Sequence, residues 1–219
     1  AAYGTLSTIA TASIGYAYFK IRRSKNIPSP LVLWRRSASP PMLASIGSWM
    51  CLSLGLVMAS QVAPKLQIPV SMNTNRYSGA TQFQVRCPFD FSDKRAEEQS
   101  SGSVRGLERI TRHPGLWSFG FIGMGQSFLS STVPLRIWWM GPAAVAWLGG
   151  SHTDSRFRRG LGGTLPPEYE CQTSNIPFLA MLSGKQGSDC WESLWKETKP
   201  LNAAASLVLS TLWILRKVR

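Results

Sequence analysis

Residues 42–63 read MLASIGSWMCLSLGLVMASQVA, a stretch without a single charged side chain. A helix crosses the hydrocarbon core of a bilayer with roughly 17–25 predominantly apolar residues. Small residues in the stretch allow neighbouring helices to approach closely, and they are Gly47, Ser48, Ser53, Gly55, Ala59 and Ser60. The stretch therefore predicts a membrane-spanning helix that packs against other helices.

Four further stretches show the same lack of charge, because only 16% of the residues are charged and these are confined to blocks. A surface helix of a soluble protein carries charges on its wet face, so a soluble bundle fits less well. The stretch 200–215 is the weakest span, because it is barely long enough to cross the bilayer, and it either crosses or lies in the interface. We predict one all-α integral membrane domain, residues 1–219, with about five spans and two long polar loops. The predicted spans are about 3–19, 42–63, 114–133, 137–152 and 200–215, with Pro134 ending the third span before Arg136 and Pro142 kinking the fourth.

The two polar loops cover residues 65–112 and 153–199. The first shows no helical or strand periodicity over most of its length, and residues 90–103 are its most solvated part. A loop of that length is either functional or an interaction arm. The second loop is basic at first and then rich in Gly and Pro, and it is interpreted as an ordered re-entrant or surface loop.

The four cysteines form no C-x-x-C pair and show no metal-ligand spacing, so no metal site is predicted. Cys51 is expected to be a small apolar filler inside a span. Cys87, Cys171 and Cys190 lie in the polar loops, and the sequence leaves open whether any two of them form a disulfide.

The formal net charge of +13 fits either nucleic acid or an anionic membrane surface as a partner. A nucleic-acid interface needs a continuous basic face with stacking aromatics. Here the basic residues flank apolar stretches, as Lys20, Arg22 and Arg23 do after the first span, so lipid headgroups are expected and nucleic acid is not. The chain begins with Ala1 rather than Met, from which we expect the loss of a targeting peptide and residence in an organelle.

The only two histidines, His113 and His152, are predicted at the same membrane face, because one precedes the third span and the other ends the antiparallel fourth. Their predicted neighbours are Arg109, Arg112, Asp154 and Arg156. Such a cluster could ligate a metal or porphyrin, or hold an anionic headgroup. The alternative is that His113 caps a helix beside Pro114 while His152 and Asp154 pair with arginines. Motifs of nucleotide and hydrolytic enzymes do not occur in the sequence, so no catalytic residue is predicted.

The segment Arg109–Trp117 reads R-I-T-R-H-P-G-L-W. It resembles the opening of a membrane helix in the NnrU-like family, which includes the plant and algal zeta-carotene isomerases. The stretches Gly149–Arg156 and Thr173–Gln186 resemble two further segments of that family, in the family's order and spacing. The resemblance covers about residues 105–186, whereas the N-terminal hundred residues match only as hydrophobic spans.

The resemblance implies a helical membrane bundle that, in the isomerase branch, holds a haem b between histidines and isomerises a cis double bond of a carotene. The family has a histidine deep in the helix that the R-H-P motif opens and another in the first span. Here the deep position reads Gly125-Gln126-Ser127, and the first two predicted spans contain no histidine. That position lies roughly 18 Å along the helix. An amide ligates haem iron weakly but can ligate the magnesium of a chlorophyll. We therefore expect the fold to be kept, the haem chemistry to be lost, and Gln126 to join His113 and His152 as a candidate cofactor ligand.

Two functions are carried forward from the sequence. The first is a non-catalytic accessory subunit of a multi-subunit organellar membrane complex, with a photosynthetic assembly of the plastid thylakoid as the preferred setting and the mitochondrial inner membrane as the rival. Its expected partners are other membrane subunits, lipids and pigments such as chlorophyll or carotenoid, with Arg109, Arg112 and Arg156 as candidates for binding lipid or another anion. The alternative is a haem-dependent carotenoid isomerase, or a related redox enzyme, with His113 and His152 as the axial pair.

Overall fold

Helices dominate the chain, as predicted for an all-α protein. The computed structural model describes residues 2–24, 27–34, 39–63, 65–66, 70–74, 81–85, 89–90, 104–161 and 163–218. Within these ranges the five long helices are α1 (Ala2–Arg23), α2 (Met42–Val62), α3 (Pro114–Leu129), α4 (Val133–Arg158) and α8 (Pro200–Val218). Four of the predicted spans lie on one of these helices apart from a terminal residue, and the third, 114–133, runs past the end of α3, so the all-α prediction is confirmed at this level.

The turn between α3 and α4 differs from its prediction. The third helix ends at Leu129, and Pro134 lies in the first turn of α4 rather than ending α3. Proline fits the first turn of a helix because its missing N–H would have no partner there. Arg136 is consequently part of α4, and Pro142 lies inside that helix, which continues past residue 152 to Arg158.

The second polar loop is more regular than predicted. It contains three short helices, α5 (Pro167–Gln172), α6 (Leu179–Leu182) and α7 (Cys190–Glu197). Proline opens α5, and Pro200 opens α8 directly after α7. The interpretation of residues 153–199 as a loop is therefore wrong, because such short helices leave no apolar period long enough to be recognised in sequence.

The first polar loop contains strands that the sequence did not predict. Strand β1 (Lys65–Leu66) pairs antiparallel with β4 (Phe89–Asp90), and β2 (Val70–Thr74) pairs antiparallel with β3 (Thr81–Val85), with Val70 opposite Val85. Residues 91–103 and Cys87 lie outside the described residues, so the predictions made for them stay predictions. The other cysteines, Cys51, Cys171 and Cys190, are free thiols.

The long helices pack in the order α1, α4, α3, α2 and α8. Glycine permits the closest approach between α2 and α3, because a Cβ atom on Gly55 would lie 2.8 Å from both the Ser118 carbonyl oxygen and the Ile122 nitrogen. The last turns of α1 lie against the start of α4, where the Tyr18 ring is 5.9 Å from the Trp138 ring and 5.8 Å from the Trp139 ring. We call the end of the bundle where α3 begins the His113 end, and the opposite end the Arg136 end.

Polar groups are concentrated inside the bundle, between α2 and α8. The Ser53 and Ser210 hydroxyls are 2.7 Å apart in a buried hydrogen bond. Trp49 Nε1 donates to Thr211 Oγ1 over 3.0 Å, and Asn202 Nδ2 donates to the Ser60 carbonyl oxygen over 2.9 Å. Such hydrogen bonds between helices are typical of membrane bundles, in which lipid cannot satisfy polar groups.

Apolar side chains cover the outside of the same helices. Among the most exposed are Leu43 at 83% and Phe119 at 70%. Others that are also exposed are Ile9, Ile14, Met50, Ile137, Val145, Leu148, Val208, Leu209 and Leu212. Within the described residues one helix, α2, is by length and composition apolar enough to cross a membrane.

Replacing Ser210 by Ala tests the contribution of the hydrogen bonds between α2 and α8. We expect a loss of about 0.6 kcal/mol in the free energy of unfolding in detergent, the mean for such bonds between membrane helices. Ser183→Ala, which removes an exposed hydroxyl that donates to the Ala180 carbonyl oxygen of its own turn, serves as the control for loss of an oxygen. A loss above about 2 kcal/mol would exceed the range measured for such bonds and contradict this account.

Candidate functional site

Arg112 is the centre of a buried ionic network at the His113 end. Its backbone N–H donates to the Ser174 carbonyl oxygen over 2.8 Å, which fixes the chain just before α3. Its guanidinium NH1 donates to Asp154 Oδ2 over 2.6 Å, and Nε donates to Thr173 Oγ1 over 3.0 Å. NH2 donates to the carbonyl oxygens of Thr173 and Glu170 over 3.0 and 3.2 Å. The exposed fraction of the Arg112 side chain is 7% and that of Asp154 is 5%, so the pair is shielded from water.

His113 completes the network. It directly precedes Pro114 at the start of α3, but its side chain makes no capping hydrogen bond, and its Nε2 lies 2.7 Å from Asp154 Oδ1 instead. An ionised carboxylate only accepts hydrogen bonds, so His113 Nε2 is the donor. Asp154 therefore bridges Arg112 and His113 with its two oxygens and joins the start of α3 to the end of α4.

Asn175 is a second junction of the site. Its Nδ2 donates to the Trp147 carbonyl oxygen over 2.9 Å and to Ser151 Oγ over 3.0 Å, both on α4. Its Oδ1 accepts from Trp117 Nε1 on α3 over 3.2 Å, and its carbonyl oxygen accepts from Thr111 Oγ1 over 2.7 Å. The segment after α5 is thereby attached to both helices.

A third contact fixes α7 to the same end. Arg109 Nε and NH2 donate to Glu197 Oε2 and Oε1 over 3.0 and 2.9 Å, and the Gly106 N–H also donates to Oε2. Burial acts to raise the pKa of Glu197, but the hydrogen bonds from Arg109 and Gly106 outweigh it and lower the pKa. The hydrogen bond with Glu197 raises the pKa of Arg109 in return.

Acidification is expected to loosen α7. Because the folded-state pKa of Glu197 is lowered, its contribution to stability is present above its ordinary pKa of 4.5 and is lost as the pH falls through the folded value. Glu197→Gln should remove this part of the pH dependence, measured by unfolding at a series of acidic pH values. Glu192→Gln on the same helix removes an exposed pair with Lys196, so at neutral pH it should change stability by less than about 1 kcal/mol. An unchanged acid slope in Glu197→Gln would contradict the assignment.

A cavity of about 590 Å³ opens beside the network. Arg112 and Asp154 form its floor, Arg158 and Glu170 form an ion pair at its wall, and Lys185 also lines it. Its other walls include Trp147, Ser151, Pro167, Cys171, Thr173, Ser174, Asn175 and Ile176. A volume of this size fits a small ligand with a polar head and an apolar body.

His152 is not part of this site. The helix α4 continues through it, and at 3.6 residues per turn His152 lies about 200° from both Gly150 and Asp154. Its side chain is exposed on another face of α4, whereas His113 contacts Asp154. Both histidines lie at the His113 end of the bundle, but their side chains occupy different positions around it and do not fit the arrangement of an axial haem pair.

The other candidate ligands lie apart from one another. Gln126 is half-buried near the far end of α3, where its carbonyl oxygen accepts from Ser130 Oγ. Arg109 and Arg112, candidates for binding lipid, both have carboxylate partners within the protein. Arg156 is exposed. Among the described residues no group of three or more His, Cys, Asp or Glu side chains is arranged to hold a metal ion.

Several residues of the site were not identified from the sequence. Glu170, Thr173 and Glu197 supply partners to the predicted arginines from a segment interpreted as a loop. Asn175, from the same segment, accepts from Thr111 and Trp117. One feature of the sequence could have pointed to Thr173 and Asn175: both lie inside the stretch Thr173–Gln186, which resembles a segment of the NnrU-like family.

The three stretches that resemble the NnrU-like family converge at this site. Arg112 of the first binds Asp154 of the second, Asn175 of the third binds Ser151 of the second, and Gln186 Nε2 of the third donates to the Arg109 carbonyl oxygen over 2.9 Å. Membership of that family stays an expectation that rests on these motifs. Comparison of the chain with protein-family models, with curated proteins and with solved structures found no match.

Proposed function

We propose that this chain is a non-catalytic accessory subunit of a multi-subunit membrane complex in an organelle. The observation that carries the proposal is the distribution of polar and apolar side chains in the bundle. Hydroxyl and amide groups lie inside, between α2 and α8, while Leu, Ile, Val, Phe and Trp side chains cover the outside. Lipid favours this distribution because polar groups must find partners within the protein. A soluble bundle of the same size would place its charged residues on these outer faces.

Membrane placement of all five long helices is part of the proposal. Helix α2 has the length and composition of a span. Helix α3 has 16 residues, about 24 Å, and is shorter than a bilayer core of about 30 Å. It lies between α2 and α4, so neighbouring protein shields its ends. The middle of α4, residues 137–151, carries no charge.

The subunit role follows from the arrangement of the helices in a row. Helix α8 packs mainly on α2, and α1 packs only lightly on α4, so both edges of the row expose apolar surface. Exposed tryptophans, among them Trp147 and Trp213, add large flat surfaces that suit pigments or helices of other subunits. A thylakoid photosynthetic assembly with chlorophyll and carotenoid is our preferred setting by analogy with the family, and the mitochondrial inner membrane is the rival.

The ionic network supports a structural role for the His113 end. Arg112, Asp154 and His113 satisfy one another in a shielded position, and each contact joins two different segments of the chain. A buried polar network whose members are all hydrogen-bonded stabilises one defined arrangement of the helices that it joins. The haem-dependent isomerase, the alternative function, would require His113 and His152 as an axial pair, which the orientation of His152 disfavours.

Mild solubilisation of the native membrane tests the proposal. We expect the chain to co-migrate with a large complex on native gels and to lack a Soret band when isolated. A double substitution on the outer face of α8, Leu209→Ala with Trp213→Ala, should weaken co-migration. Thr211→Ala, two residue positions from each of them and in contact with Trp49 of α2, should not. A chain that purifies alone, with a Soret band that disappears in His113→Ala or His152→Ala, would establish the alternative instead.

A further inference from the structure

Acidic residues are confined to one part of the chain. All 11 of them lie between Asp90 and Glu197, and none occurs before or after these two positions. In the fold, those on the long helices and in the segment after α4 lie at the His113 end. Among the described residues, negative charge is therefore confined to the His113 end of the bundle.

The Arg136 end contains basic residues without acidic ones among the described residues. The last turn of α1 contributes Lys20, Arg22 and Arg23, and the last turn of α8 contributes Arg216 and Lys217. Arg136, in the first turn of α4, lies 5.2 Å from the centre of the Trp34 ring and donates to the Ser130 carbonyl oxygen. Cations at the C-terminal ends of α1 and α8 also interact favourably with the helix dipoles.

Three cations at the His113 end have carboxylate partners within the protein. Arg109 binds Glu197, Arg112 binds Asp154, and Arg158 binds Glu170. Among the described residues no carboxylate lies at the Arg136 end, and four basic side chains there, Lys20, Arg23, Arg216 and Lys217, are exposed. These four side chains can therefore reach an anionic group outside the chain.

Aromatic and apolar side chains show where the Arg136 end lies relative to lipid. Tyr18, Trp138 and Trp139 form a cluster of rings directly beside the cations of α1. The nearby Phe19 and Leu215 are exposed, as are Leu33, Met42 and Leu43. Clustered Tyr and Trp side chains followed by Lys and Arg are typical of the boundary between hydrocarbon and headgroups.

We propose that the Arg136 end binds the headgroup layer of anionic phospholipids. The exposed cations Lys20, Arg23, Arg216 and Lys217 would meet phosphates in the plane of the leaflet, just beyond the aromatic cluster. Each basic residue close to an anionic leaflet contributes about 1 kcal/mol to binding, which corresponds to about fivefold. The inference rests on the membrane placement proposed above and is independent of the subunit role.

Lipid selectivity of the full chain in phosphatidylcholine vesicles tests this inference. Spin-labelled phosphatidylglycerol and spin-labelled phosphatidylcholine are compared by the fraction that the protein restricts in motion. We expect a preference for phosphatidylglycerol that decreases with added salt, because ions screen exposed charges. A variant that combines four substitutions, Lys20→Gln, Arg23→Gln, Arg216→Gln and Lys217→Gln, should reduce the preference for phosphatidylglycerol by about fivefold or more.

A matched variant removes the same number of cations from the His113 end, through Arg156→Gln, Arg159→Gln, Lys185→Gln and Lys196→Gln, and should retain most of the preference. Equal losses in the two variants, or an unchanged preference in the first, would overturn the proposal. An acidic protein partner at the Arg136 end would leave the isolated chain without any preference, which also overturns it. If neither lipid is restricted in motion, the membrane placement itself fails, and this result is distinct from the others.

Discussion

Replacing Asp154 by Asn is expected to lower the free energy of unfolding by about 3–5 kcal/mol, because it removes one partner of a buried ion pair. Arg112 would keep its hydrogen bonds to Thr173 and Glu170 but lose its only carboxylate contact. His113 would lose the acceptor that fixes its Nε2. The cost arises from leaving a cation without a counter-charge where water hardly reaches it.

The loss should be measured in mixed micelles by titration with a denaturing detergent, followed by circular dichroism. Asp189→Asn makes the same chemical change at an exposed position whose carboxylate accepts only from the adjacent Ser188, so a change within about 0.5 kcal/mol is expected. Combining Asp154→Asn with Arg112→Gln should cost less than the sum of the single variants, because the cation is removed together with its partner. A loss in Asp154→Asn no larger than in Asp189→Asn would show that the network does not hold the helices together.

The positions of the long helices could be predicted because each depends on a local property of the sequence. A long stretch without charged residues, such as residues 42–63, can form a helix in an apolar environment, and this property is read directly from the sequence. The end of α4 was predicted too early, because His152, Asp154 and Arg156 were interpreted as a polar boundary although they occupy different faces of a continuing helix. Charged residues end an apolar stretch without ending the helix that carries it.

The site could be predicted only in part, because its contacts depend on which face of a helix a residue occupies. Arg112, His113 and Asp154 were assigned to one end of the bundle from topology, and the structure brings them into direct contact. Thr173 and Asn175 come from a distant segment whose position is set by tertiary hydrogen bonds rather than by any period in its sequence. Such partners require the fold to be known.

The alternative axial pair, His113 and His152, and the ionic network lie at the same end of the molecule. With His113 held by Asp154 and His152 directed elsewhere, the two imidazoles cannot bind one iron from opposite sides without rearrangement of α4. What this end provides is a rigid connection between α3, α4 and the segment 173–197. Rigid ends and apolar outer faces suit a helix bundle that positions neighbouring molecules in a membrane.

Adjacent glycines on α4 should respond in opposite directions to replacement by Ala. A Cβ atom on Gly149 would meet only Leu116 Cδ1, at 3.9 Å, which is an ordinary contact. A Cβ atom on Gly150 would overlap Asn175 Oδ1 and lie 2.8 Å from Asn175 Cγ and 2.9 Å from His113 Cδ2. The first substitution should therefore stabilise the protein by up to about 1 kcal/mol, since Ala is favoured over Gly inside a helix.

Gly150→Ala should instead lower the free energy of unfolding by about 1–3 kcal/mol, the usual cost of overpacking. The added methyl group displaces the Asn175 amide, which accepts from Trp117 and donates to the Trp147 carbonyl oxygen. Both variants gain the same helix propensity, so the difference between them isolates the close contact at Gly150. Unfolding in the same micelles measures both variants, and tryptophan emission reports the environment of Trp117. If the two substitutions stabilised the protein equally, the segment around Asn175 could not lie against α4 as described. The contact between the stretches Gly149–Arg156 and Thr173–Gln186 would then be wrong.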